Sequence, residues 1–276
     1  MSYDALQCTR VDLAAGVAWA TIDHPPMNLW DTVLTHDLVT LISAFETDPE
    51  ARVLVLTSAD PEYFIAHADV EMIRDLPTDA LGAEDGPAPI NQLLERFRIM
   101  PKVSIALIRG IARGGGSEIA LACDLRFATP EARLAQPEVA LGIIPGAGGT
   151  QRLTRLVGRA RALEIVLGCG DVTGTEAASI GYVNRVVDAA VIDDDVRALA
   201  GRIATMPSHA VEEAKRAIDA ALPDPIPGLA LEGQAFQTTL GHAETRRRMD
   251  AFLAGGGQTR DGERDLAAVL DRLGEA

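Results

Sequence analysis

From residue 51 to about residue 190, short apolar runs of strand length alternate with stretches of helical period, and past that point the strand runs stop. ARVLVLTSAD (51–60) and VSIALIRG (103–110) are β-branched runs bounded by polar or glycine residues, the pattern of buried strands. Asp69 stands in N-cap position before VEMIRDL, and INQLLERFRIM (90–100) has helical spacing. Upstream, VDLAAGVAWATID (11–23) reads as a hairpin turning near Ala15 and Gly16, and HPPMNLWD (24–31) breaks it. LTHDLVTLISAFETD (34–48) is a helix ending before Pro49. Beyond residue 190, VIDDDVRALAGRIATM, SHAVEEAKRAIDAAL and LALEGQAFQTTLGHAETRRRMDAFL show only helical periodicity. Such an order predicts an α/β core over 1–195 followed by a helical region over 196–276. PTDALGAEDGPAP (77–89) has the composition of a disordered insertion or of a cover over a site, and no repeat of fixed period is visible.

The chain has 276 residues, enough for one large domain, and a net charge of −15 from 40 acids and 25 bases. That balance excludes a nucleic-acid backbone as main partner. Cys8, Cys123 and Cys169 are far apart with no CxxC spacing, so neither a disulfide framework nor a zinc site is expected. The first residues carry acids where a signal peptide needs bases, and no run approaches the roughly 18 apolar residues of a membrane span. A soluble, cytoplasmic chain without a membrane partner is the expectation.

IARGGGSEIALACDLRFA (111–128) places Gly114, Gly115 and Gly116 between a strand and a helix expected to start near Ser117. Unpaired N–H groups at a helix start, bare of Cβ atoms, suit a developing oxyanion; the same glycines also suit close packing alone. Glu118 either caps its own helix or is a carboxylate whose proton affinity burial raises toward the range useful for proton transfer. Twenty residues on, AQPEVALGIIPGAGG sets Glu138 in equally apolar surroundings. Either acid alone reads as structural, and the two together, each beside glycine-rich backbone, make the better case for an acid/base pair. GAGGTQRLTRLVG (146–158) lacks the Walker ending and the dinucleotide fingerprint, and His24, His36, His67, His209 and His242 show no metal-binding spacing.

With VLTSADPEYFIAHADVEMI upstream, these two segments resemble, in order and spacing, the crotonase (enoyl-CoA hydratase/isomerase) superfamily over roughly residues 10 to 190. The resemblance implies a spiral of repeated ββα units and a C-terminal helical part that builds homotrimers, often dimers of trimers. It implies an acyl-CoA thioester substrate, with coenzyme A part of that substrate and no other cofactor. The backbone N–H groups of Ala68 and Gly115 would form the oxyanion hole, with Ala66, His67 and Gly146 beside the substrate. Glu118 would help activate the water that adds to C3, and Glu138 would give the proton to C2. Because both glutamates are present, hydration of a 2-enoyl-CoA to a 3-hydroxyacyl-CoA is the expected reaction. The alternatives are a double-bond isomerase, a thioester hydrolase, or an inactive acyl-CoA-binding member. Two departures stand out: His67 replaces the family's glycine, and AGGGQTRDGE replaces a basic stretch after AFL.

Overall fold

The computed structural model describes residues 3–78 and 82–273, so three residues of the 77–89 segment lie outside the described residues. Its strands form two sheets. The first has six strands, β1 (Thr9–Ala14), β2 (Val17–Ile22), β3 (Val53–Ser58), β5 (Val103–Ile108), β7 (Leu125–Ala128) and β10 (Arg185–Val186), in that order. The second has four, β4 (Tyr63–Ile65), β6 (Ile111–Arg113), β8 (Arg133–Ala135) and β9 (Val172–Thr173). β1 and β2 are the expected hairpin: Ala14 faces Val17, and Ala15 and Gly16 turn with φ of 50° and 81°. Positive φ at both central residues gives a turn whose twist matches the strands. From β2 to β10 the first sheet is parallel throughout, and β4, β6 and β8 are parallel in the second.

A repeat is present in space although none is visible in sequence. β3, β5 and β7 lie in the first sheet, and the strand after each (β4, β6, β8) lies in the second. Each second strand then leads into a helix or helical turn: α2 (Val70–Arg74), α4 (Gly115–Ala122) and a 3-10 turn (Glu138–Leu141). These are ββα units, and the C-terminal ends of β4, β6 and β8 fall side by side.

Parallel strands buried on both faces explain the apolar runs. Val53 and Val55 point to one face with Trp19, Ile105, Leu107 and Phe127; Leu54 and Leu56 point to the other. α1 (Thr32–Thr47) supplies Leu34, Leu38, Leu41, Ile42 and Phe45 to the second of these faces. It begins two residues earlier than the spacing suggests because Asp31 accepts from the Val33 and Leu34 N–H groups. α3 (Pro89–Ile99) adds Leu94 and Phe97. After β8 come α5 (Gly149–Val157), α6 (Arg159–Gly168) and α7 (Gly174–Ile180).

The chain is helical after β10, as expected. α8 (Ile192–Ala204) lies across the expected 195/196 division and seats Ile192, Val196, Ala200 and Ala204 against the first sheet. α9 (Ser208–Asp219) buries none of its residues. α10 (Ile226–Leu240), α11 (Ala243–Ala254), α12 (Arg260–Arg264) and α13 (Leu266–Leu273) return to the second sheet. There Leu240, Met249, Phe252, Leu266 and Val269 form one apolar cluster with Val70, Leu141 and Ile143. Among the described residues no helix is long and apolar enough to cross a membrane.

Candidate active site

Three of the residues singled out in sequence occupy equivalent places in the three ββα units. Ala68 follows β4, Gly115 follows β6, and Glu138 follows β8. Parallel pairing of Ile65 with Ala112, and of Arg113 with Ala135, brings the three ends together. They line one small cavity of about 40 Å³, with His67 and Gly114. Val70, Ile73, Leu141 and Ile143 add apolar wall, and Phe252, Leu266 and Leu270 of the C-terminal helices close it.

The glycine triplet divides its work. Gly114 has φ of 44°, and a Cβ there would stand 2.7 Å from Glu138 Oε1. Gly115 is the first residue of α4, two earlier than expected, so its N–H has no partner within the helix. A Cβ on Gly115 would meet the Trp30 ring at 2.6 Å and Ala68 N at 3.2 Å, so only glycine leaves the Ala68 N–H uncovered. Gly116 serves packing, since a Cβ would stand 2.1 Å from Ile65 O. The packing reading of the triplet applies at Gly116, while Gly115 leaves room beside the Ala68 N–H. On the Ala68 side, Trp30 N donates to His67 O (2.9 Å) and Asp69 N donates to Trp30 O (3.0 Å). In such a parallel bridge the intervening Ala68 N–H points away from Trp30.

Glu118 does not cap its own helix. Its Oε1 accepts from Ala147 N (2.7 Å) and Gly149 N (2.8 Å), at the start of α5. The N–H groups between and after these go to a third buried glutamate, Glu232 of α10. Glu232 Oε1 accepts from Gly148 N (2.6 Å), and Oε2 from Thr150 N (3.0 Å) and the Thr150 hydroxyl. Asn91 Nδ2 donates to Glu232 Oε1 (3.3 Å) and to Gly146 O (3.1 Å). Arg152 supplies nearby positive charge, held by Ala147 O and Glu95.

Burial dominates the proton affinities. It pushes Glu118 up to about 8, helped by the charge of Glu232 and opposed by the Gly149 and Ala147 N–H groups. Glu138 is also held well above the ordinary carboxylate range, by burial and then by the charge of Glu118. The two differ in surroundings: Glu118 accepts two backbone N–H groups, whereas Glu138 Oε2 is buried with no hydrogen-bond partner. The carboxyl with one bare buried oxygen is the better holder of a proton, and the one that accepts from two other N–H groups is the better base.

Not every residue named in sequence reaches the cavity wall. Glu118 lies behind it, within electrostatic reach of Glu138. Ala66 spends its N–H on Met27 O and its carbonyl on Arg113 N. Gly146 packs against the Phe236 ring. His67 does line the cavity, with its ring turned toward the C-terminal segment and its Nε2 3.0 Å from Glu263 Oε1. That segment is the one that departs from the family's basic stretch, and its arginines are already engaged: Arg260 with Asp60 and Glu62, Arg264 with Glu62.

The sequence profile of the enoyl-CoA hydratase/isomerase family matches residues 12–257. A short-chain-enoyl-CoA hydratase of Clostridium acetobutylicum is 35% identical, covering 86% of this chain and 91% of its own length. A crotonyl-CoA hydratase of Syntrophomonas wolfei is 34% identical over 81% of this chain and 85% of its own. Among solved structures, a candidate enoyl-CoA hydratase from Streptomyces avermitilis superposes with a TM-score of 0.89 at 35% identity, covering 99% of this chain and 100% of that one. An enoyl-CoA hydratase from Bacillus anthracis gives 0.71 at 31% identity, over 90% of this chain and 96% of its own.

Proposed function

The chain belongs to the enoyl-CoA hydratase/isomerase family, and from that premise we propose how its residues carry the reaction. It is a hydro-lyase that adds water across the C2=C3 bond of a 2-enoyl-CoA to give a 3-hydroxyacyl-CoA. The observation that carries the assignment of residues is the meeting of Ala68, Gly115 and Glu138 at three adjacent strand ends around one cavity.

The thioester carbonyl accepts from the Ala68 and Gly115 N–H groups, which are fixed before charge develops. Donors placed in advance at an oxyanion lower the barrier by about 3–4 kcal/mol each. Glu118, ionised, takes a proton from the water whose oxygen bonds to C3. The electron pair of the double bond moves onto C2 and the carbonyl as an enolate. Glu138 then gives C2 its proton, and exchange with solvent returns both carboxyls to their starting states. Gly146 borders this water, Ala66 stands behind the oxyanion segment, and His67 lines the cavity beside it. Coenzyme A enters with the substrate, and no other cofactor takes part.

A homotrimer, alone or paired, accounts for the face of α9, which buries none of its residues, and for exposed Ile218, Leu222, Ile226 and Leu231 nearby. Three free cysteines agree with the reducing cytoplasm as its location. A hydration assay over 2-enoyl-CoAs of graded length, with Glu118→Gln and Glu138→Gln, tests the reading. Each substitution is expected to remove about 10²–10⁴ of the rate, and a loss below about tenfold for either sinks its role. A 3-enoyl-CoA belongs in the panel, because Glu138 alone stands on the cavity wall and an isomerase needs only that acid.

A further inference from the structure

His67 is held by two acceptors and no donor. Its Nδ1 lies 2.7 Å from Ala68 O and its Nε2 lies 3.0 Å from Glu263 Oε1. A carbonyl oxygen only accepts, so Nδ1 carries a hydrogen. Glu263 accepts in addition from Arg113 Nη1 at Oε2 (2.9 Å) and from Gln258 N at Oε1 (3.4 Å), so it is a carboxylate and Nε2 carries a hydrogen as well. An imidazole with both nitrogens protonated is a cation. The pair is deep: the side chain of His67 is 9% exposed and that of Glu263 is fully buried.

Charge around the ring supports that state. Arg113 of β6 is fully buried between Glu263 and Asp171, bonding Asp171 at 2.7 and 2.8 Å. His67, Glu263, Arg113 and Asp171 thus form a chain of alternating sign that runs from the buried ring to the surface, where Asp171 is exposed and also meets Arg133, and such pairing is how buried charge is tolerated. Glu138 faces the same cavity, and Phe252 meets the ring edge-on at 5.9 Å. Three attractions oppose the cost of burial for His67, the charge of Glu263, its hydrogen bond and the hydrogen bond to the Ala68 carbonyl, while the charge of Arg113 works against them.

Resting on the hydratase reading above, we infer that His67 is a positioning residue that acts as an imidazolium, fixing the backbone that presents the Ala68 N–H and clamping the segment around Glu263 over the cavity. The oxyanion hole and the C-terminal cover are therefore one unit. Val70 N donating to Gln258 Oε1 and Tyr63 OH donating to Arg260 O (3.1 Å) dock the same segment on the same strand end. Loosening the clamp disturbs the donor geometry and so acts on the chemical step.

The test is ¹⁵N NMR of the histidine rings in the full chain, with His67 assigned by its disappearance in His67→Gln and its displacement in Glu263→Gln. Both ring nitrogens of His67 are expected to carry hydrogen at pH 7.5; one bare nitrogen at that pH overturns the inference. In turnover, both variants are expected to lose more than tenfold in kcat with KM changed less than threefold, and a wild-type kcat in folded His67→Gln also overturns it. Should His67→Gln not fold, Glu263→Gln and the wild-type spectrum decide. Wild-type protein that hydrates no enoyl-CoA would sink the hydratase reading, while the ring nitrogens still report the charge.

Discussion

Glu118 and Glu232 share four consecutive backbone N–H groups at the start of α5, Ala147 and Gly149 donating to the first, Gly148 and Thr150 to the second. One carboxylate comes from the helix after the glycine triplet and the other from the C-terminal helices, so the tail helps to build the site. The charge of Glu232 is the second cause, after burial, of the raised proton affinity of Glu118. Removing it in Glu232→Gln lets Glu118 ionise at lower pH. Because the proposed role of Glu118 needs it ionised, the acidic limb of kcat/KM is expected to move down by roughly one unit. A pH–rate profile checks this, and an unmoved limb rejects the coupling.

Gly115→Ala places a methyl group 2.6 Å from the Trp30 ring and 3.2 Å from Ala68 N. The donor geometry then has to give way. Hydration is expected to fall by about 10²-fold or more, with about 1–3 kcal/mol of stability lost to overpacking. Steady-state kinetics beside a melting curve separates the two effects; a folded variant with wild-type kcat would rule out Gly115 as an oxyanion donor.

The two glutamates and the oxyanion segment were legible in sequence because each breaks a local expectation: an acid in an apolar run, or three glycines after a strand. The ββα repeat was legible only through the family resemblance and not as a period, since β3, β5 and β7 begin at residues 53, 103 and 125, and unequal loops erase it. Glu232 did leave a signal. It lies on the face of α10 that buries Leu229, Gly233 and Leu240, where an acid needs a reason. Glu263 left none, being one charge among many in QTRDGERD, and only folding brings it to His67. The sequence also misplaces the start of α4, because a helix opening on Gly115 and Gly116 depends on tertiary packing rather than propensity.

We propose that the acyl tip lies against the C-terminal helices that close the cavity, so that this cover sets its reach. Leu270 of α13 lines the cavity and is only partly buried in its cluster. Leu270→Ala is therefore expected to widen the pocket at less cost than the 2–5 kcal/mol typical of a fully buried leucine. Preference is expected to shift toward longer 2-enoyl-CoAs, read as the ratio of kcat/KM for an eight-carbon to a four-carbon substrate. The proposed placement of the acyl tip fails if that ratio stays unchanged.

Glu138 carries a cost that its removal should reveal. Its Oε2 is buried without a donor, and burial together with the charge of Glu118 holds its proton affinity well above the ordinary value of 4.5. The folded chain thus keeps a proton that the unfolded chain loses. The stability contributed by that proton is full below about pH 4.5 and is lost as pH rises through the folded value. Glutamine in its place does not titrate. Glu138→Gln should therefore melt higher than wild type at pH 8, with the difference shrinking toward pH 4.5, where the other carboxyls affect both proteins alike. In a chain of this size each kcal/mol moves Tm by about 2–4 °C, so calorimetry at pH 5, 6.5 and 8 resolves the trend. A Tm difference independent of pH, or a variant less stable than wild type at pH 8, would show that Glu138 is ionised and partnered in the folded chain, and would remove it as the proton donor to C2.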